Sequence, residues 1–358
     1  MGLLQIGSCF LAQVHNRKRE TVADPIIPGP KGETRYIYDA KNRLSKQTDP
    51  VAGTFEWTYN ALDRRMTLQY PNNLTTYYDY DNAYRLKSLI TKNNQGDIID
   101  GYSYLMDAVG NRTSMTSLRD NQVTSYEYDS TYRLTKATYP WANFEQFTYD
   151  VAGNRQTLTD KDGITTYGYD DANRLLSEVR GTTTTSYTWD NAGNMLTKDD
   201  LSGTTTYEWN YDSHLVRTTD QGQGTTDYAY DPSGIRVRMT EGTTTKRFLY
   251  SNEDIIADYG GASEMYYIHG PLIDEPLAQI AVSGTSAVLS YMHRDGLGSV
   301  TAFSTTGGQL AGTGTNVPPQ LEMDSSAKSL ATNGRRNGHG TRTERATPFR
   351  RSGEGGHS

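Results

Sequence analysis

"YDVAGNRQTL", residues 149–158, reads as the end of one β-strand, a tight turn and the start of the next. Tyr149 closes an aromatic pair with Phe147, and an i, i+2 pair sets both rings on one face of a strand, where a helix would separate them. Asp150 favours a turn because its carboxylate can accept a backbone N–H two residues on. Gly153 offers positive φ without a steric penalty. Arg155 opens the returning strand, so the stretch reads as one β-hairpin.

Near-copies run along most of the chain, and self-similarity at a period of about 20–50 residues points to a stacked repeat architecture. The aromatic anchors are assigned to Tyr38, Tyr59, Tyr80, Tyr104, Tyr128, Tyr149, Tyr169, Trp189, Tyr211 and Tyr230. Two positions before each stands a second aromatic: Tyr36, Trp57, Tyr78, Tyr102, Tyr126, Phe147, Tyr167, Tyr187, Trp209 and Tyr228. The anchor is usually followed by an acid, as at Asp39, Asp81, Asp129, Asp150, Asp170, Asp190 and Asp231. Asn60 takes this place once, and Asp107 is read as displaced by a two-residue insertion. Gly110, Gly153, Gly193 and Gly234 follow in alternate units, which suggests that the true period is a pair of hairpins. An arginine returns five or six residues after most anchors (Arg43, Arg64, Arg85, Arg133, Arg155, Arg174, Arg236). Threonine runs beside Gly181, Gly203 and Gly242 mark β-structure and the opposite turn. Hairpins alone are marginal in water, but neighbours stacked edge to edge satisfy each other's backbone groups. The expected fold is all-β: stacked antiparallel hairpins forming a curved, spiralling sheet.

Composition agrees. The 358 residues carry 27 tyrosines and a net charge of only −7, so a tyrosine-built core is expected rather than disorder. The single cysteine, Cys9, excludes an internal disulfide framework and a cysteine-based zinc site. No apolar run is long enough for a membrane-spanning helix. The first residues lack a basic segment ahead of a continuous apolar run, so no signal peptide is expected.

These residues resemble the YD repeats of the Rhs family, found also in teneurins and in the shells of bacterial toxin complexes. Three further stretches resemble the core segment that follows the repeats in that family: "FLYSNEDIIADY" (248–259), "YYIHGPLIDEPLAQI" (266–280) and "YMHRDGLGSVTAF" (291–303). The resemblance implies a partial β-shell of an Rhs-type polymorphic toxin, non-enzymatic, secreted or associated with the cell envelope. Intact relatives enclose a C-terminal toxin, often with an aspartate-dependent self-cleavage motif. Implied partners are toxin cargo or neighbouring shell segments. After Leu310 the sequence holds no tyrosine and departs from that pattern, so the shell end, cleavage motif and toxin are expected to be absent from this chain. Expected divisions are a poorly ordered segment 1–30, ten repeats over 31–247, the core-like segment 248–310 and a disordered tail 311–358.

No cofactor or metal site is expected. Residues 160–163, Asp-Lys-Asp-Gly, fail the calcium-loop spacing and read as a turn. "DGLGSV", 295–300, lacks the lysine of a phosphate loop and reads as a turn. His269 and His293 read as satisfied polar residues beside strands. An acid for nearly every arginine argues against a nucleic-acid face. The alternative function is a surface or secreted module that binds carbohydrate or a cell-surface protein through exposed aromatic rows. Strands spaced about 4.8 Å give ten hairpins a strip on the order of 100 Å, less than one turn of a wall of about 150 Å around a small domain. An open sheet edge is expected to promote self-association.

Overall fold

The computed structural model describes residues 33–261 and 263–313, together with the backbone of Val22–Ala23. The expected N-terminal segment 1–30, apart from that backbone, and the tail from residue 314 lie outside the described residues. The chain forms twenty-seven strands from Glu33–Tyr38 to Leu310–Thr313, with no helix among the described residues. Each strand pairs antiparallel with the next in sequence, so the sheet is one long meander. Thr244–Ser251 crosses the expected boundary at 247 with partners on both sides. No described helix is long and apolar enough to cross a membrane.

Each repeat turn follows a β-bulge. Thr148 pairs with Thr157 and Tyr149 with Arg155, leaving one extra residue on the returning strand. The same step occurs at Tyr38, Tyr59, Tyr80, Tyr128, Tyr169, Trp189 and Tyr230. A bulge bends its strand and raises the local twist, so a bulge in every hairpin curves the whole strip. On the other side of the sheet, residues 160–163 form the tight turn joining the strands Arg155–Asp160 and Gly163–Tyr169.

The pairing corrects two of the anchors. In the unit read around Tyr104, Met106 pairs with Arg112 across the bulge and Tyr104 pairs with Met115, so Met106 occupies the anchor position. No insertion is present; Asp107 follows its anchor directly and Gly110 lies three residues on, as the turn requires. In the unit read around Tyr211, the anchor is Trp209, paired with Leu215. Asn210 is the turn's capping residue, and Tyr211 is fully exposed on the turn itself. Taking Tyr211 as anchor would force Leu215 into the left-handed position, which a bulky residue avoids; with Trp209 as anchor that place falls to Ser213, at φ 58°.

The curvature is tighter than expected from the sequence. Aromatic and aliphatic side chains of early hairpins (Phe55, Trp57, Leu68, Tyr70, Leu74) share one buried cluster with Ile268, Leu277, Ile280 and Tyr291. The strand Arg65–Gln69 thus meets the region of Pro276–Ser283, twenty strands later in the meander. At about 4.8 Å per strand, the strip returns onto its own first hairpins after roughly 100 Å. The 150 Å estimate assumed a wall held open by a body inside it, whereas here the late strands pack directly on the aromatic face of the early ones.

Candidate functional site

The repeat turn is built from one acid and the backbone it caps. In the first unit, Asp39 Oδ1 accepts from the backbone N–H of Lys41 and of Arg43, each at 2.9 Å, while Oδ2 accepts from Arg43 Nε at 2.7 Å. Asp81, Asp129 and Asp170 repeat the arrangement with Arg85, Arg133 and Arg174. The glycine units substitute an asparagine: Asn154 and Asn194 donate Nδ2 to Asp150 and Asp190 at 2.9 and 2.8 Å. Asp231 caps Ser233 and Ile235 in the same way. The arginine hydrogen bond, followed by the backbone bonds of the turn, holds the Asp39 carboxyl below the usual carboxylate range.

The third residue after the acid has positive φ in every unit. Gly153, Gly193 and Gly234 adopt φ of 92°, 87° and 85°, and Asn42, Tyr84, Tyr132 and Asn173 adopt 60–65° at the equivalent place. The turn therefore demands the left-handed conformation throughout, and glycine is one way to meet it.

Anchors couple consecutive hairpins. The hydroxyls of Tyr80, Tyr128, Tyr149, Tyr169 and Tyr230 donate to the carbonyls of Arg65, Arg112, Leu134, Arg155 and Leu215. The indole Nε1 of Trp189 and of Trp209 does the same to Leu175 and Met195. Each acceptor is the residue paired with the preceding anchor. Tyr38 stands at the head of this row and is half exposed. Phe147 has no polar end, and the Arg155 guanidinium lies 5.5 Å from its ring centroid and 5.1 Å from that of Tyr167.

The second element is the seam where the strip meets itself, whose partners the sequence did not reveal. Glu275, with a fully buried side chain, takes Arg65 through both guanidinium nitrogens and Arg294 Nη2 at 2.6 Å, and accepts from the backbone N–H of Leu272 at 3.1 Å. Burial pushes the Glu275 carboxyl up, but the Arg65 hydrogen bond and the charges of Arg65 and Arg294 outweigh it and hold the group below its ordinary value. Nearby, Tyr70 donates to the Met292 carbonyl at 2.9 Å, and Asn72 Nδ2 donates to Ser304 Oγ and to the Thr305 carbonyl, both at 2.9 Å. Thr301 Oγ1 donates to the buried Asp100 at 2.7 Å. The Gly296 N–H meets the Tyr104 hydroxyl at 2.6 Å, and a Cβ on Gly296 would fall 2.8 Å from that ring, so only glycine permits the approach. "DGLGS" proves to be one more repeat-type turn: Asp295 caps Leu297 and Ser299, and Gly298 has φ 88°.

A cavity of about 1100 Å³ lies beside the seam, walled by Tyr36, Tyr59 and Tyr80 of the first units and by Tyr266, Ile268 and His269. His269 Nε2 donates to the Ile255 carbonyl at 2.8 Å. His293 Nε2 lies 2.8 Å from Ser304 Oγ, the spacing of a base and a nucleophile, but both residues are sealed from solvent and His293 Nδ1 has no hydrogen-bond partner. Among the described residues, no group of three or more His, Cys, Asp or Glu side chains converges to hold a metal ion.

Comparisons with known proteins agree with this architecture. Residues 101–255 match the teneurin YD-shell family model and residues 38–75 the RHS repeat model. No curated protein matches the chain. Among solved structures, the Tc holotoxin pore of Photorhabdus luminescens is similar over 78% of this chain and 17% of its own, at 19% identity and a TM-score of 0.51. The TcdB2-TccC3 complex is similar over 78% and 17%, at 19% identity and a TM-score of 0.53. Its form without the hypervariable C-terminal region is similar over 78% and 16%, at 18% identity and 0.54. This chain thus spans about one sixth of the length of those chains, and the likeness is one of fold. With the family models falling on the same bulged, acid-capped hairpins that the pairing reveals, the chain belongs to the Rhs family of YD-repeat, teneurin YD-shell proteins.

Proposed function

We infer that this chain is a section of shell wall that encloses or presents polypeptide cargo, in company with neighbouring shell segments. The observation that carries this reading is the return of the strip onto itself through Arg65 and Glu275, which makes a curved wall with its aromatic face turned inward. The acid, the turn and the anchor of each unit then serve structure alone, and the wall is non-enzymatic. In whole relatives the cargo is a C-terminal toxin, and the same role here places the protein outside the cell or at its envelope. The carbohydrate-binding alternative is weaker, because the polar ends of most anchors are already taken up by backbone carbonyls.

The test is a protease-sensitive reporter peptide fused after Ser358 of the full chain. Wall-forming chains are expected to slow its digestion relative to a Glu275→Ala variant in which the seam is opened. Equal digestion of both fusions would overturn the reading.

A further inference from the structure

The residue opposite each anchor alternates along the strip. It is Leu44, Leu86, Leu134, Leu175 and Leu215 in one set of hairpins. In the other set it is Arg65, Arg112, Arg155 and Arg236, with Met195 the one departure. These arginines share a setting. Arg65 lies 6.0 Å from the Trp57 ring and 5.6 Å from Tyr78, Arg155 between Phe147 and Tyr167, and Arg236 5.6 Å from Tyr228 and 5.2 Å from Phe248. Arg112 stacks at 4.2 Å on Tyr104, under the turn at residues 295–299. Each ring pair holds the guanidinium in place while its donor edge stays free to bind in the plane.

What such a site takes is shown within the molecule. Glu275, from a distant segment, inserts its carboxylate onto Arg65 and is bound through two nitrogens, the geometry a guanidinium offers a carboxylate. Arg155 and Arg236 hold equivalent positions, and neither has a carboxylate within ion-pair distance among the described residues. Arg155 is exposed and Arg236 half-buried.

We propose that Arg155 and Arg236, each held between two aromatic rings, form a docking row for an acidic stretch of polypeptide, whose carboxylates bind as Glu275 binds Arg65. The proposal rests on the wall reading, in which this face looks onto enclosed polypeptide. Eight strand steps separate the two arginines, about 38 Å along the sheet, a span that an extended peptide of roughly twelve residues covers at ~3.3 Å each.

The experiment uses the full chain and a fluorescein-labelled peptide of alternating glutamate and serine, about sixteen residues long, read by fluorescence anisotropy. Replacing both residues (Arg155→Gln with Arg236→Gln) is expected to weaken binding about tenfold, the loss of one charge-assisted hydrogen-bond contact. Arg238 and Arg247 pair across the sheet on the opposite face, so Arg238→Gln with Arg247→Gln serves as the control and is expected to change affinity less than about twofold. Circular dichroism of each variant checks that the sheet is intact. A lysine–serine peptide of the same length is expected not to bind. Equal weakening by both double variants, no weakening by either, or equal binding of the lysine peptide would overturn the docking row. None of these results bears on whether the reporter fused after Ser358 is shielded, so the two readings fail separately.

Discussion

Tyr291 donates its phenolic hydrogen to the carbonyl of Ala52, 2.7 Å away and 239 residues earlier in the chain. Its ring also packs edge-on against Phe55 with centroids 5.9 Å apart. One residue therefore joins the opening of the strip to its late strands by a hydrogen bond and by an apolar contact, and the strength of that junction can be measured.

Removing either partner of the buried ion pair should cost far more than trimming the junction's edge. Glu275→Ala leaves Arg65 and Arg294 facing each other without their carboxylate, and a loss of about 3–5 kcal/mol is expected by analogy with broken buried pairs. Tyr291→Phe keeps the ring and loses one hydrogen bond, about 1 kcal/mol. Urea denaturation of both variants checks the order.

The corrected register makes a paired prediction. Trp209→Ala removes a half-buried ring and its bond to the Met195 carbonyl, so about 3 kcal/mol should be lost locally. Tyr211→Ala removes a side chain wholly in solvent and should change stability by less than about 0.5 kcal/mol. Hydrogen exchange in the strands Gly203–Trp209 and Leu215–Asp220 should report the difference. Equal effects would return the anchor to Tyr211.

Turn positions should respond with opposite signs. Gly153→Ala places a Cβ at φ 92° and is expected to destabilise by about 1 kcal/mol. Tyr132→Gly, at φ 65°, relieves the same strain and should be neutral or slightly stabilising in thermal melts.

Acid should weaken the seam in a defined window. Burial holds His293 neutral down to about pH 4, against 6.5 for the exposed group. It faces the Tyr70 ring at 4.9 Å and Ser304 Oγ, with no carboxylate on Nδ1 to stabilise an imidazolium. The unfolded chain binds the proton first, so stability should fall as pH drops from about 6.5 to about 4, by on the order of 3 kcal/mol, with no further loss from this group below that. Glu275 acts in a lower range: its depressed value makes its contribution full above about 4.5 and lost as pH falls through the folded-state value. Denaturation midpoints from pH 7 to 4 should be flatter in His293→Gln.

The strands and turns were legible because their signals are local: alternation of aromatics, an acid that caps, and a residue that tolerates positive φ. Register failed at Tyr104 and Tyr211 where tyrosine was weighed above the turn. Asp107 with Gly110, and Ser213 as the residue able to adopt positive φ, contained the right answer, since backbone conformation constrains more tightly than ring identity. "HRDGLGS" concealed a repeat turn because Arg294 stands where the anchor aromatic belongs. The seam was not legible at all. Glu275 is one acid before a proline, and nothing near it in sequence announces Arg65; their meeting depends on curvature summed over twenty strands.

Each anchor finds its acceptor on the hairpin that precedes it, never on the one that follows. A chain leaving the ribosome therefore always presents the next tyrosine with a finished docking carbonyl, so growth of the sheet is directional and needs only short loop closures. Closure of the ring, by contrast, must wait until Glu275 has been synthesised.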